Sequence, residues 1–195
     1  NSNSGAAKSG EANVKTGVTP EADAEAAVIE TDFGRIVIEL YPNVAPQMVA
    51  RFKKLASEGF YNGTAIHRID PDLGIIQGGD PNSKDNNPAN DGAGNSGEPN
   101  VPAEFSDISY VRGTVGAART GADINSANSQ FFITLKPQPA FEQPTNRYTV
   151  FGRVIEGINN ADIISTAPVA EGTRDRPADK INVKSITLAP RANFK

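Results

Sequence analysis

Short apolar segments separated by closely spaced turn residues limit most strongly how this chain can fold. The 195 residues include 18 Gly and 14 Pro, and the apolar runs between them, such as Ile36–Leu40, have the length of single β-strands. Ile36, Ile38 and Leu40 recur at every second position, which is the period of a strand with a buried face. No run is long enough to cross a bilayer. The sequence therefore predicts a mainly β domain without an integral membrane segment.

Eight segments have the composition and length of strands. They are Val28–Thr31, Arg35–Tyr41, Tyr61–Ile66, Ile75–Gln77, Thr114–Ala118, Gln130–Thr134, Tyr148–Val154 and Ile181–Leu188. One helix is predicted from Pro46 to just before Gly59, because proline suits a first turn and glycine a helix end. A second, shorter helix is predicted over Gly157–Ser165. The apolar residues of the last strand change phase, which indicates a bulge near Lys184-Ser185. This pattern favours an antiparallel barrel closed at its ends by helices.

Composition divides the chain into three parts. Residues 1–27 contain no aromatic residue, Leu or Ile, so we expect a flexible polar tail that buries too little apolar surface to fold. Residues 28–190 are expected to form the domain, and residues 191–195 a short C-terminal tail. A small, polar leader is also what remains after a secretory signal is removed. We therefore expect an exported protein, periplasmic or in the cell envelope and tethered through the tail, with a cytoplasmic protein as the alternative.

Composition also excludes several kinds of chemistry. The chain has no Cys and one His, which removes disulfides, thiol nucleophiles, thiolate metal sites and most catalysis that needs a His base. A net charge of -4 argues against a nucleic-acid partner. Residues 80–100 hold several acidic and Asn side chains, but Asp85 and Asp91 stand where a calcium loop needs Gly and Glu. We therefore predict a solvated loop there rather than a calcium site, and no metal or cofactor.

Three clusters stand out along the chain. His67-Arg68 precedes the segment IQGGD of residues 76–80, SQFFIT occupies residues 129–134, and YTVFGRV occupies residues 148–154. Each alone is compatible with an ordinary core strand. In this order, and together with GRIVIELYPNVAP, FYNGTAIHRI, VPAEF and RGTVGAAR, they resemble the cyclophilin-type peptidyl-prolyl cis-trans isomerases. The resemblance runs from Val28 to Pro190, and it implies a closed eight-stranded antiparallel barrel capped by two α-helices.

The resemblance also assigns site residues. It implies that Arg68 is the catalytic arginine, that Gln77 hydrogen-bonds the substrate backbone, and that Phe132 forms the floor of a proline pocket. The substrate-binding positions that it implies are His67 at the rim, Leu73, Ile75, Ala118, Arg119, Phe141 and Tyr148.

Two departures from the family pattern matter for the site. The loop over residues 69–76 is one residue longer than the common form, so either Leu73 or Gly74 corresponds to a pocket-wall residue; we favour Leu73 because a side chain is needed there. The family tryptophan that is important for cyclosporin has no counterpart, and Ala140 is the nearest position. We therefore expect weak cyclosporin A binding.

The implied reaction suits a chain that lacks nucleophiles. Rotation about an Xaa-Pro bond crosses a barrier of roughly 18–20 kcal/mol, and it needs only an environment that favours the twisted amide. A fixed guanidinium can donate to the prolyl nitrogen or to the carbonyl oxygen in that state. We predict a monomeric isomerase that acts on Xaa-Pro polypeptides and assists folding. The alternative is a module that binds proline peptides with weak or no turnover.

Overall fold

In the computed structural model, which describes residues 13–195, the chain turns at Asp32-Phe33-Gly34 as the sequence predicts. The turn joins strands β1 (Glu25–Thr31) and β2 (Gly34–Leu40) into an antiparallel hairpin. Gly34 has a φ of 107°, a conformation that glycine adopts without the steric cost of a side chain. The alternating apolar residues of β2 then face the main core.

The described residues form eight strands, two α-helices and five short 3-10 turns. The other six strands are β3 (Arg68–Asp70), β4 (Ile75–Gly78), β5 (Thr114–Ala117), β6 (Phe131–Thr134), β7 (Val150–Glu156) and β8 (Val183–Pro190). The helices are α1 (Pro46–Ser57) and α2 (Ile158–Ser165). All strands belong to one sheet in the order β3-β4-β6-β5-β7-β2-β1-β8, and every pairing is antiparallel. The predicted mainly β fold with eight antiparallel strands and two helices is confirmed.

Complete closure of the barrel, in contrast, is not confirmed. β3 and β8 are the two edges of the sheet, and within residues 13–195 only an isolated bridge between Ala65 and Asn182 and a few neighbouring hydrogen bonds lie between them. The predicted strand over Tyr61–Ile66 is wrong. Gly59 and Gly63 have φ values of 71° and 80°, which curl this segment into turns and prevent an extended ladder.

Helix α1 packs its buried face on the main core, against the inner face of the sheet. It begins at Pro46, as predicted, and the Glu104 carboxylate accepts hydrogen bonds from the first free backbone N–H groups, those of Gln47 and Met48, at 3.0 Å each. The ring of Phe52 lies 5.7 Å from that of Phe131 on β6. These contacts anchor α1 to the inner face of the sheet.

The N-terminal boundary of the domain lies earlier than predicted. β1 begins at Glu25, and Ala26 and Ala27 are fully buried, so the expected tail over residues 1–27 overlaps the first strand. Because alanine is a weak strand former, the composition of this segment does not predict a strand at these two positions. Further upstream, the Lys15 N–H donates to the Phe105 carbonyl at 2.9 Å. The part of the expected tail over residues 1–12 lies outside the described residues.

The C-terminal residues also contact the sheet. Arg191 donates from its backbone to the Ala24 carbonyl at 2.8 Å and from Nε to Glu39 Oε2 at 2.9 Å. Phe194 packs against the buried Val28 and Val37. The segment 191–195, expected to be a tail, is therefore packed on the outer face of β1 and β2.

Two local predictions can also be compared with the structure. The bulge at Lys184-Ser185 is confirmed, since Glu30 faces Ser185 while Thr31 faces Val183. Residues 80–100 form a loop with short 3-10 turns at Pro81–Lys84 and Pro88–Asn90. No group of three His, Cys, Asp or Glu side chains in residues 13–195 is arranged to hold a metal ion. None of the helices in the same range is long and apolar enough to span a membrane.

Candidate active site

Three of the predicted site residues lie side by side across neighbouring strands. Arg68 on β3 is directly opposite Gln77 on β4, and Gln77 is directly opposite Phe132 on β6. Because side chains alternate along a strand, Phe131 points into the main core while Phe132 points to the outer face. The pairing of the three strands therefore arranges a cation, an amide and an aromatic ring in one row on the outside of the sheet.

A glycine completes this row and makes room for the ring. Gly116 on β5 is opposite Phe132, and a Cβ at this position would lie 2.7 Å from Cε1 of the ring and closer still to Cζ. The far end of the Phe132 ring therefore covers the backbone of β5 at Gly116. The rings of Phe141 and Tyr148 meet it edge-on at centroid distances of 5.7 and 5.1 Å, which fixes its orientation.

The row opens into a cavity of about 480 Å³, the outer cavity. All ten predicted site residues line it: His67, Arg68, Leu73, Ile75, Gln77, Ala118, Arg119, Phe132, Phe141 and Tyr148. Five further lining residues were not predicted: Pro88, Asp91, Gly92, Asp175 and Arg176. The first three come from the long polar loop and the last two from the segment after α2. Irregular segments of this kind carry no periodic signal that could have assigned them to a site.

Arg68 is held by three acceptors at the edge of the outer cavity. Its Nε donates to Asp175 Oδ2 at 2.7 Å, while Nη1 and Nη2 make longer contacts of 3.5 Å to Gln77 Oε1 and Asp70 Oδ2. About a third of the Arg68 side chain is exposed, against 4% of the Asp70 side chain. The guanidinium thus keeps access to the cavity while its orientation is restricted.

Gln77 belongs to a second chain of hydrogen bonds. Its Nε2 donates to Gln130 Oε1 at 3.1 Å, and Gln130 Nε2 donates to the carbonyls of Gly92 and Gly94 at 2.9 and 3.0 Å. The loop that supplies these carbonyls is organised by the fully buried Asp80, whose carboxylate accepts from the backbone N–H of Gly92. The side chain amide of Gln77 is therefore oriented from both sides, by Arg68 and by the loop.

Tyr148 and Arg119 form the opposite wall. The Arg119 guanidinium lies 4.9 Å from the Tyr148 ring centroid and donates to the Arg147 carbonyl at 2.8 and 3.0 Å. The Tyr148 backbone N–H donates to the buried Tyr110 hydroxyl at 2.9 Å, and burial raises the pKa of Tyr110 to about 12. This hydroxyl therefore stays protonated and supports the wall.

His67 lines the outer cavity at its rim and is only 9% exposed. Its backbone N–H donates to the Gln77 carbonyl at 3.1 Å, and burial lowers the pKa of its imidazole. The ring is consequently neutral at pH 7. This environment agrees with a structural or rim position rather than with proton transfer.

The structure separates the two candidates for the pocket wall. Leu73 lines the outer cavity and its backbone N–H donates to Asp70 Oδ1 at 2.8 Å. Gly74 has a φ of 76°, and the stem of Lys136 covers the position of its missing Cβ. Leu73 and Ile75, but not Gly74, therefore line the outer cavity, and the assignment of Leu73 to the pocket wall stays a prediction. Ala140 is exposed and does not line the cavity.

Comparison with known proteins provides a separate line of evidence on the family. Residues 26–188 match the family model described as cyclophilin type peptidyl-prolyl cis-trans isomerase/CLD. The chain is 42% identical over 165 residues to a probable peptidyl-prolyl cis-trans isomerase of Brucella suis, covering 82% of each chain. It is 34% identical over 167 residues to a peptidyl-prolyl cis-trans isomerase of Schizosaccharomyces pombe, covering 82% of this chain and 97% of that protein.

A solved structure supports the same assignment. The crystal structure of a Cryptosporidium parvum cyclophilin type peptidyl-prolyl cis-trans isomerase, determined in the presence of the dipeptide Ala-Pro, superposes with a TM-score of 0.73 at 26% identity. The superposition covers 85% of this chain and 99% of that chain. The similarity therefore extends over nearly the whole of the relative.

Proposed function

Because this chain belongs to the cyclophilin-type peptidyl-prolyl cis-trans isomerase family, we propose that the outer cavity binds an Xaa-Pro segment and that Arg68 assists rotation of its amide. The observation that carries the proposal is the row of Arg68, Gln77 and Phe132 on three adjacent strands at one cavity. The relative that was crystallised in the presence of Ala-Pro supports a proline-containing ligand.

Phe132 is the proposed floor for the proline ring. It is 3% exposed and belongs to an outer apolar cluster with Ile75, Leu73, Phe141 and Tyr148. These side chains form the apolar part of the cavity lining, and burying the proline ring against them removes that surface from water. Gln77, positioned between the floor and Arg68, is the proposed donor or acceptor for the peptide backbone.

Arg68 is the proposed source of rate acceleration. When the Xaa-Pro amide twists, resonance is lost and the prolyl nitrogen regains its lone pair. The Nη groups of Arg68, with their long 3.5 Å contacts, can donate to that nitrogen or to the carbonyl oxygen. Such donation stabilises the twisted amide more than the planar one, which is the condition for catalysis. No proton has to be transferred, in agreement with a neutral His67.

Ala118 and Arg119 follow the end of β5 and line the outer cavity, where we place the peptide segment next to the proline. The natural substrates on this account are exposed Xaa-Pro bonds of folding or unfolded polypeptides, and the proposed role is assistance of protein folding.

A protease-coupled assay on an Ala-Pro peptide tests this function. We expect the rate of cis-to-trans conversion to increase in proportion to protein concentration, and refolding of a protein limited by proline isomerisation to accelerate in parallel. Titration with the same peptide measures binding separately. Binding without acceleration would contradict the proposal and identify a peptide-binding module.

A further inference from the structure

We propose that Asp175 is a positioning residue for catalysis, because its carboxylate fixes the Arg68 guanidinium so that the Nη groups face the outer cavity. Asp175 lies in the irregular segment between α2 and β8, far in sequence from the strand that carries Arg68. The inference rests on the proposed role of Arg68 and adds a residue that determines its geometry.

The distances rank the partners of Arg68. The bond from Nε to Asp175 Oδ2 measures 2.7 Å, whereas the contacts with Asp70 and Gln77 measure 3.5 Å. A short charge-assisted hydrogen bond is substantially stronger than a long one. The Asp70 carboxylate also accepts from the Leu73 N–H at 2.8 Å, so it is already used in the turn after β3. Asp175 is therefore the partner that sets the direction of the guanidinium.

Asp175 does not depend on Arg68 for its own position. The Ile69 N–H, on the residue after Arg68, donates to the Asp175 backbone carbonyl at 2.8 Å. This bond fastens the segment after α2 to the edge of β3, next to the guanidinium. Asp175 is 31% and Arg68 34% exposed at their side chains, so both line the outer cavity rather than forming a buried structural pair.

The chemical consequence follows from the shape of the guanidinium. Arginine has five N–H donors in a rigid fork, and a carboxylate on Nε leaves the Nη donors to reach a bound amide. An unpaired arginine side chain would sample many rotamers, and fixing it in the transition state would then cost conformational entropy. Asp175 restricts this freedom before the substrate binds, which is the preorganisation that catalysis by a fixed donor requires.

The decisive variant is Asp175→Ala, with Asp162→Ala as its matched control. Asp162 also pairs with an arginine, Arg112, at 2.6 Å, but outside the outer cavity. We expect Asp175→Ala to lower kcat/KM on an Ala-Pro peptide by about tenfold to a hundredfold, with the peptide Kd changed by no more than about twofold. Asp162→Ala should leave both unchanged. Wild-type kcat/KM in a folded Asp175→Ala protein would overturn the inference.

Repeating the Asp175→Ala substitution in an Arg68→Lys protein shows whether Asp175 acts through Arg68. Lysine has no Nε–H donor, so Asp175→Ala should cost less than about twofold when it is added to Arg68→Lys. An equal loss in both backgrounds would overturn the positioning role. The proposed function is tested separately by Arg68→Ala: if that variant loses activity while Asp175→Ala does not, only the inference about Asp175 fails. Full activity of Arg68→Ala would refute the role of Arg68 itself.

A measurement on the wild-type protein tests the inference even if the variants do not fold. We expect the Arg68 Nε–H resonance, assigned by its absence in Arg68→Lys, to be shifted from the position of a free arginine and slow to exchange with water. A resonance with the shift and exchange of an exposed arginine would overturn the inference even if Asp175→Ala failed to fold.

Discussion

The substitution Gly116→Ala tests how tightly the floor of the outer cavity is built. The new Cβ would lie 2.7 and 3.0 Å from Cε1 and Cε2 of Phe132, well inside van der Waals contact. The ring has no free direction along the sheet because Phe141 and Tyr148 abut it at centroid distances of 5.7 and 5.1 Å. It must therefore move outward, into the space proposed for the proline.

The size of the effect follows from overpacking. An inserted methyl group in a packed site costs about 1–3 kcal/mol. For a protein of this size each kcal/mol lowers Tm by roughly 2–4 °C, so Gly116→Ala should melt about 2–12 °C lower than wild type. Displacement of the floor by about 1 Å should also lower kcat/KM by tenfold or more.

The control is Gly121→Ala. A Cβ at Gly121 meets no atom within 4 Å, and the backbone there is in an ordinary region. This variant should retain activity and gain up to about 1 kcal/mol, because alanine restricts the unfolded chain. Thermal melts and the protease-coupled assay measure both variants. Wild-type Tm and kcat/KM in Gly116→Ala would refute the packing of Phe132 over β5.

Three further predictions follow from the same geometry. Phe132→Ala, which truncates a ring 3% exposed, should cost about 3–5 kcal/mol in a denaturation curve and most of the activity; unchanged activity would contradict its place in the site. Burial lowers the pKa of His67, so the neutral ring contributes fully to stability above the unfolded pKa of about 6.5, and this contribution is lost as the pH falls toward the lower folded pKa. The Tm of His67→Gln should therefore fall less steeply on acidification than the Tm of wild type. Equal dependence of Tm on pH in the two proteins would argue against a buried neutral ring. Cyclosporin A should inhibit weakly, since Ala140 offers no indole surface or N–H, and low-nanomolar inhibition would show that this position is misplaced.

Local signals explain which parts of the fold could be predicted from the sequence. The hairpin turn at Asp32-Phe33-Gly34, the helix start at Pro46 and the bulge at Lys184-Ser185 each depend on a few neighbouring residues, and all three are found in the structure. Tyr61–Ile66 has the composition of a strand, but Gly59 before it and Gly63 within it curl the chain into turns. The sequence does not predict the start of β1, because its alanines give no strong apolar signal and are buried only through pairing with the neighbouring strands.

The site was predictable to the extent that its residues lie in short motifs. Arg68 and Gln77 come from the first of the quoted clusters and Phe132 from the second. Strand alternation requires only that Phe131 and Phe132 face opposite sides, and the family resemblance is what selects Phe132 for the pocket. The pairing of β4 with β6, which brings Gln77 and Phe132 together, is a long-range contact that a local pattern does not specify. Asp175 was missed for the same reason, since it approaches Arg68 only through the tertiary fold.

The most direct test of the central claim compares Arg68→Ala with wild type in kcat/KM and in peptide affinity. Loss of a preorganised donor to the twisted amide should lower kcat/KM by about a hundredfold to a thousandfold. Gln77 and Phe132 still hold the peptide, so Kd should change far less, and Arg68→Lys should restore little because an ammonium lacks the planar fork. This separation of turnover from binding, in a variant with a wild-type melting curve, is the result that we predict. Wild-type kcat/KM in a folded Arg68→Ala protein would contradict arginine-assisted catalysis.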